Sequence, residues 1–338
     1  GLGIPAEPLF RSSCLVIVVG DVDVDQIEAK LKTIFADIPA AVNPREKEYY
    51  QLPQNQEPII GIITDAEATS SSIEVLWKSE PLPKEFGNTV EGYMIDLVKS
   101  YIYYIMQERF GDITSKPGAP FLGASLSVGR LCATCEGVFA NVSFKDGDAV
   151  NAFAAMMLEV EKMKRFGFTD GEVERAKAKI MSHYERAVEA APTRKNADFV
   201  RPLLNAFYHN ESYMDPETEL QVAQMICSQL NAAVLSQIAA SMITDENMVV
   251  LYNGPEKDGL ANPTEEQLAA VIAAVKTAEI EANVEETVNE PLISKNLKGS
   301  KVKKTAEGIY GSTEWTLKNG LKVVVLPTEY KKDQVIMN

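Results

Sequence analysis

Apolar and polar positions along this chain describe the same strand, turn and helix twice, once towards each end. A run of apolar residues at 14–19 ends in a turn at Gly20, and residues 23–38 then show the apolar spacing of an amphipathic helix. The pattern returns as an apolar strand and turn at 247–254 and a helix at 263–282. Two copies of one closing unit predict a duplicated domain, of which the chain carries one complete copy.

The residues between these two units predict a sheet and one long helix. Apolar runs and alternation favour strands at 58–64 and 72–78, which we expect to pair with each other. A helix is predicted at 88–110, followed by strands at 124–128 and 137–144. The order of elements is therefore β, β, α, β, β.

A mainly helical region follows the fourth strand. Apolar stripes predict helices at 148–165 and 169–190, and two shorter ones at 216–227 and 230–242. Together with the closing strand and helix, this order predicts an α+β fold with a mostly antiparallel sheet and helices packed on one face.

The end of the chain predicts the opening of another domain. Residues 314–317 and 321–326 form two strand patterns around Asn319-Gly320, the strongest short hairpin signal. The basic stretch at 295–304 contains Gly, Ser and Asn, and we interpret it as a solvated linker. An apolar edge strand without its partner domain tends to pair with another chain, so we also expect that two copies can dimerise through the terminal strands.

These patterns divide the chain into four segments. We predict the strand-and-helix tail of a preceding domain at 1–55, a complete repeat domain at 56–285, a linker at 286–312 and the opening hairpin of the next domain at 313–338. The chain begins with Gly1 and shows no targeting pattern, which leaves the compartment open.

Composition excludes several classes of function. The formal net charge of −15 argues against nucleic-acid binding, which needs clustered Lys and Arg. No apolar run approaches the roughly 20 residues of a membrane span. The 46% apolar and 24% charged residues are ordinary for a globular protein.

Several of these motifs together resemble the pitrilysin and insulinase family of zinc metallopeptidases. They are the turn at 18–23 with its following helix, and residues 171–177 of the helix predicted at 169–190. The third is the strand and turn at 315–323, with which the next domain begins. From about Cys14 onward, the order of elements is similar to that of the second, noncatalytic domain of the family. The match includes the end of the first domain before it and the start of the third domain after it. The resemblance implies four such domains in two halves that close around a peptide.

In that family the zinc site lies in the first domain, on a His-x-x-Glu-His helix whose Glu activates water. The chain lacks this motif, and its two histidines, His183 and His209, are far apart in sequence. The resemblance therefore implies a noncatalytic part of a zinc metalloendopeptidase, forming a chamber wall. Zinc is expected in an upstream catalytic domain of the same polypeptide, and the partners are the other domains and a peptide substrate.

We accordingly assign no catalytic, metal-ligating or cofactor-binding residue to this chain and expect it to be inactive alone. Substrate-binding residues are left open. If the parent is an exported bacterial protein, the resemblance implies a periplasmic or cell-envelope location.

Two alternative functions stay open. The first is a scaffold or binding subunit of the same fold without peptidase activity. The second is a redox or metal-binding domain that uses the Cys-x-x-Cys motif of Cys132 and Cys135. A strand pattern follows this motif instead of a helix, and further ligands are limited to Cys14, Cys227 and the histidines. Buried or half-buried structural cysteines are therefore the favoured interpretation.

Other candidate positions have structural interpretations. Asp21, Asp23 and Asp25 alternate as in a calcium loop, but the later positions of that motif hold Gln26 and Lys32. We expect Asp23 to cap the following helix, with Gln26 reaching back to it.

The histidines and the clustered large side chains also fit structural roles. We expect His183 and His209 at the surface or its boundary. The methionines Met156, Met157 and Met163 and the tyrosines at 101–104 fit core filling.

Overall fold

The computed structural model describes residues 15–38, 48–285, 293, 295–329 and 335–337. They belong to two compact units, Gly1–Glu285 and Glu286–Asn338. Cys14 and most of the first nine residues of the predicted linker lie outside the described residues.

The first unit contains most of the secondary structure. Its elements, in chain order, are α1 (Val24–Ile34), β1 (Ile59–Asp65), β2 (Ser71–Ser79), α2 (Val90–Thr114), β3 (Gly123–Cys132), β4 (Cys135–Phe144), α3 (Ala149–Phe166), α4 (Asp170–Ala190), α5 (Val200–His209), α6 (Pro216–Cys227), α7 (Ala232–Met242), β5 (Met248–Pro255) and α8 (Glu265–Thr277). The second unit contains β6 (Val302–Glu307), β7 (Thr313–Leu317) and β8 (Lys322–Val325).

The first unit is built on one five-stranded sheet in the order β1-β5-β2-β4-β3. Three of its pairings are antiparallel, while β1 and β5 are parallel. The predicted pairing of β1 with β2 is wrong, because β5 lies between them. Periodicity shows which face of a strand is buried, but it does not identify the neighbouring strand.

Alternate residues of the central strands supply one continuous core. Ile73, Val75 and Trp77 of β2 are all buried, as the predicted alternation requires. Helices α2, α3 and α8 pack on the sheet. This arrangement confirms the α+β fold with a mostly antiparallel sheet.

The clustered large side chains mostly join this core. Met156, Met157 and Met163 of α3 and Tyr101 of α2 are buried, as predicted. Tyr103 is 40% exposed, so the prediction is wrong for that residue. Successive residues of a helix point in different directions, and a four-residue run cannot face one core.

The N-terminal segment departs from its predicted structure. Residues 15–19 are not in a strand, because no described segment pairs with them. Helix α1 follows as predicted, and the Asp23 carboxylate accepts a hydrogen bond from the Gln26 backbone N–H at 3.0 Å. The Gln26 side chain contacts the Asp23 carboxylate instead of its backbone, so the cap is not fully reciprocal.

Helix α5 was not expected from the sequence. It is short and carries Pro202 in its first turn, a position where proline is tolerated because the first N–H groups have no partner in the helix. The helix ends at Asn210, whose φ of 56° is left-handed.

The second unit, taken by itself, is an antiparallel sheet in the order β6-β7-β8. The predicted hairpin is confirmed by β7 and β8, with Gly320 at a φ of 88° and the Leu317 N–H donating to the Leu321 carbonyl at 2.8 Å. Strand β6 lies in the segment predicted as linker, where it pairs with β7.

A buried ion pair joins two helices of the first unit and contacts the loop between α3 and α4. The Arg109 guanidinium, on α2, donates to both carboxylate oxygens of Glu172 on α4, at 2.6 and 2.9 Å, and to the Gly167 carbonyl at 2.8 Å. Glu172 also forms a capping box with Thr169. Burial alone would raise the pKa of the Glu172 carboxyl, but the bonds and charge of Arg109 hold that pKa below its usual value.

We expect Arg109→Met to lower the free energy of unfolding by about 3–5 kcal/mol, because it leaves a buried carboxylate without its counter-charge. Denaturant titration of the chain measures the loss. Glu28→Gln, which removes an exposed partner of Lys32, is the matched control and should cost less than about 1 kcal/mol. If Arg109→Met lowers the free energy of unfolding as little as the control does, the buried ion pair does not stabilise the fold in this way.

The same pair sets an acid limit on stability. A carboxyl whose folded-state pKa is lowered contributes stability above its unfolded pKa of about 4.3, and this contribution is lost as the pH falls through the folded value. We expect Glu172→Gln to be less stable at neutral pH and to lose less further stability below pH ~4.3 than the unmodified chain. Urea midpoints measured across this range test the difference in slope.

Candidate functional site

The β3–β4 hairpin closes in a two-residue turn at 133–134. Cys132 and Cys135 are directly paired across the strands on either side of it. The next pair is Arg130 with Glu136, and the register shifts between Arg130 and Cys132. Such irregularities re-aim side chains, and they are common near functional sites.

A groove of about 650 Å³, here called the turn groove, lies beside this turn. It is lined by Tyr49, Gln51, Glu80, Pro81, Lys84, Arg130, Ala133, Thr134, Tyr208 and His209. A smaller cavity of about 260 Å³ has Gln51, Glu80 and Thr134 in common with it and also touches Cys135. The two spaces together follow the turn and the end of β2.

Residues 48–56, here called the connecting segment, form one wall of these spaces. The Thr134 hydroxyl donates to the Tyr50 carbonyl at 2.8 Å. The Lys78 ammonium donates to the Pro53 carbonyl at 2.5 Å. The turn and strand β2 thus both hold the segment through its backbone carbonyls.

An asparagine pair fixes the other end of the connecting segment. The Asn55 N–H donates to the Asn247 side-chain oxygen at 3.0 Å, and the Asn247 N–H donates to the Asn55 carbonyl at 2.7 Å. The Asn55 amide also donates to the Met248 carbonyl at 2.9 Å. Asn247 has a φ of 61°, in the left-handed region that asparagine tolerates better than most residues.

Two groups that can carry positive charge meet in the turn groove. Arg130 Nη1 lies 2.8 Å from His209 Nδ1, and because a guanidinium only donates, the histidine nitrogen must accept. His209 then carries its proton on Nε2. Lys84 lines the same groove.

The two thiols of the turn have different environments. Cys132 is exposed and Cys135 is buried, so the expectation of a buried or half-buried cysteine is wrong for Cys132. The Thr134 hydroxyl, 3.5 Å from the Cys132 sulfur, lowers the pKa of that thiol, with backbone N–H groups helping. Burial raises the pKa of the Cys135 thiol, and charge on Cys132 adds to the rise.

The other sequence candidates are separated. His183 is exposed on α4, His209 is half-buried in the turn groove, and Cys227 is buried in α6. Across the described residues, no three His, Cys, Asp or Glu side chains lie close enough to hold a metal ion. In the same part of the chain, no helix has the length and apolar character to cross a bilayer.

A partly buried polar cluster between α2, α4 and α6 was missed by the sequence analysis. The Tyr93 hydroxyl donates to the Glu219 carboxylate at 3.3 Å, and burial raises the pKa of Glu219. Burial also raises the pKa of Tyr93 and of Tyr184 on α4. The clue in the sequence was the recurrence of tyrosines along α2, but their partners come from helices far along the chain.

Comparison with known families identifies the chain. Residues 11–180 match the family model described as the peptidase M16 inactive domain. The chain belongs to the M16 family of zinc peptidases, and this portion of it is the inactive domain. The resemblance to the pitrilysin and insulinase family is confirmed.

Named relatives agree with this assignment. The chain is 22% identical over 327 residues to a zinc protease PQQL-like of Arabidopsis thaliana, covering 95% of this chain and 30% of the relative. It is 20% identical over 222 residues to the probable zinc protease PqqL of Escherichia coli, covering 65% of this chain and 23% of the relative.

Solved structures show the same fold. The periplasmic protease PqqL from Escherichia coli superposes with a TM-score of 0.69 at 16% identity, over 93% of this chain and 34% of the other. A structure of the first half of that protease gives 0.68 at 16% identity, over 79% of this chain and 56% of the other. The chain thus spans about a third or less of the full-length relatives.

We expect Asn247→Ala to loosen the connecting segment more than Asn247→Gly does. Both variants lose the bond to the Asn55 N–H, worth about 1 kcal/mol, but only alanine also opposes the left-handed backbone, at a further cost of about 1–2 kcal/mol. Hydrogen exchange of the amides in residues 48–56 measures the difference. Equal exchange in the two variants would show that the backbone conformation contributes nothing.

Proposed function

We propose that this chain is the noncatalytic portion of a zinc metalloendopeptidase, in which it supports the catalytic domain and forms part of the wall of a peptide chamber. The match to the M16 inactive domain carries this proposal. In the parent protein, zinc held by a catalytic domain outside this chain would activate the water that hydrolyses the peptide bond. The chain itself would contribute packing and shape.

The N-terminal segment supports a docking role. Val16, Val18, Ile34, Phe35 and Ile38 are between 43% and 69% exposed, although their apolar spacing is that of a core-facing strand and helix. We infer that these side chains belong to the tail of a preceding domain, at residues 1–55, and become covered when that domain is present. Residues 56–285 would then be the complete noncatalytic domain.

The second unit supports the remaining domain boundaries. We propose that residues 313–338 open a further repeat domain and that 286–312 connect the two, with β6 contributed by the connection. The likeness to the first half of PqqL supports placing the first unit before such a connection. By analogy with the periplasmic PqqL, we propose an exported location for a bacterial parent.

The alternative is a scaffold or binding subunit of the same fold without peptidase activity. The two proposals differ in whether the parent carries a His-x-x-Glu-His motif. Dimerisation through the edge strand β8 stays a prediction that the comparisons do not support, and light scattering of the purified chain decides it.

The docking role predicts different effects in the isolated chain and in the parent. Ile34 and Phe35 are 69% and 43% exposed, so Ile34→Ser with Phe35→Ser should hardly change the stability of the isolated chain. In the full-length parent, the same change should lower stability by several kcal/mol, because burying each side chain is worth about 1.5–3 kcal/mol. Denaturant unfolding of both proteins, with peptidase assays of the parent, measures the contrast.

Lys30→Ser on the same helix is the control, since Lys30 is exposed and polar. A small effect of the double change in both proteins would contradict the docking role. A loss of stability without loss of peptidase activity in the parent would retain docking but remove the link to catalysis.

The noncatalytic assignment predicts less than stoichiometric zinc in the purified chain and no peptide hydrolysis by it. Elemental mass spectrometry and a fluorogenic peptide assay measure both. One zinc per chain that is lost on changing Cys132 and Cys135 to Ser would overturn the assignment in favour of a metal-binding domain.

A further inference from the structure

We propose that Cys132 and Cys135 form a thiol–disulfide pair, in which Cys132 reacts with a small-molecule disulfide and Cys135 resolves the adduct by closing a disulfide across the turn. This site would make the β3–β4 turn a place of reversible covalent modification. It is independent of the peptidase proposal.

The backbone geometry permits the bond. Cys132 and Cys135 are directly opposite each other in an antiparallel ladder. Residues so paired have Cα atoms about 4.5–5.5 Å apart and side chains on the same face of the sheet. A disulfide requires a Cα separation of about 4.4–6.8 Å, so the strands need not move far.

The two thiols differ in the way that such a reaction requires. Cys132 is exposed and can be reached by a dissolved disulfide, whereas Cys135 is 2% exposed. Backbone N–H groups of Thr134 and Cys135 beside the exposed sulfur favour the Cys132 thiolate, which is the attacking species. Cys135 is shielded from the dissolved reagent but lies opposite the sulfur of any adduct formed on Cys132.

The reaction balances as two thiol–disulfide exchanges. The Cys132 thiolate attacks one sulfur of the reagent disulfide, and one reagent thiolate leaves and takes up a proton. The Cys135 thiol then loses its proton to solvent and attacks the Cys132 sulfur, which releases the second reagent thiolate. Two protein thiols are oxidised to one disulfide, and the reagent disulfide is reduced to two thiols.

The position of the pair gives the modification a structural consequence. Thr134, which lies between the two cysteines, holds the connecting segment through the Tyr50 carbonyl. Cys135 and Thr134 both line the smaller cavity beside that segment. A bond across the turn changes the surroundings of the Thr134 hydroxyl, so oxidation acts directly on one of the contacts that hold residues 48–56.

The test treats the folded chain with oxidised glutathione and follows intact mass and peptide maps. Cys14→Ser serves as the background, which removes the thiol outside the described residues, and buried Cys227 is kept as an internal control. We expect the background protein to lose the mass of two hydrogens, with Cys132 linked to Cys135. Dithiothreitol should restore the original mass.

Single variants separate the two roles. Cys135→Ser should accumulate one glutathione on Cys132, and Cys132→Ser should stay unmodified over the same time. Cys135→Ala provides a second form of the resolving variant if serine disturbs the buried site.

Three results would overturn the proposal. They are a stable glutathione adduct on Cys132 while Cys135 is present, modification of Cys132→Ser at the rate of the background protein, and no reaction at either thiol in the folded chain. Since no peptidase activity is measured, failure here leaves the proposed function untouched.

Discussion

The buried pair of Arg109 and Glu172 is the constraint on which the helical layer depends. A charge removed from water must be matched by an opposite charge and by hydrogen bonds, so these two side chains tolerate few relative positions. Arg109 thereby fixes the C-terminal part of α2 against the start of α4 and the loop at Gly167. Glu172 adds the cap of α4, so one carboxylate both begins that helix and joins it to α2. The alignment of the helices over the sheet follows from this contact and from the apolar core beneath it.

The sheet adds a second constraint on the fold, because the helices must cover the one face on which its main core lies. Alternate residues of β2, β4 and β5 point into the helical layer and are buried there. The ends of the strands remain open to other segments, and the connecting segment occupies the end formed by the β3–β4 turn and β2. Thr134 and Lys78 bond its backbone carbonyls, and the Asn247 side chain accepts from the Asn55 N–H. The Asn55 side chain adds a bond to the Met248 carbonyl.

The turn groove combines parts of the chain that are distant in sequence. His209 ends α5, Arg130 lies on β3 and Tyr49 belongs to the connecting segment. Helix α5 was not expected, so the contact between His209 and Arg130 could not be inferred from their spacing. The asymmetry of the two cysteines was hidden for a similar reason. The Cys-x-x-Cys spacing is visible in the sequence, but exposure of one thiol and burial of the other depend on the β-ladder and on what covers each face.

The sequence by itself determined the α+β class and most element boundaries of the first unit, because apolar periodicity and caps are local properties that the chain carries wherever it folds. The family followed from the resemblance of its motifs and not from periodicity. It also determined the hairpin around Gly320, where the turn requires a positive φ. Only the tertiary structure decided that β5 separates β1 from β2, that residues 15–19 form no strand among the described residues, and which side chains line the turn groove. Strand partners, burial and ion pairs are set by contacts between distant segments, and local patterns do not specify these.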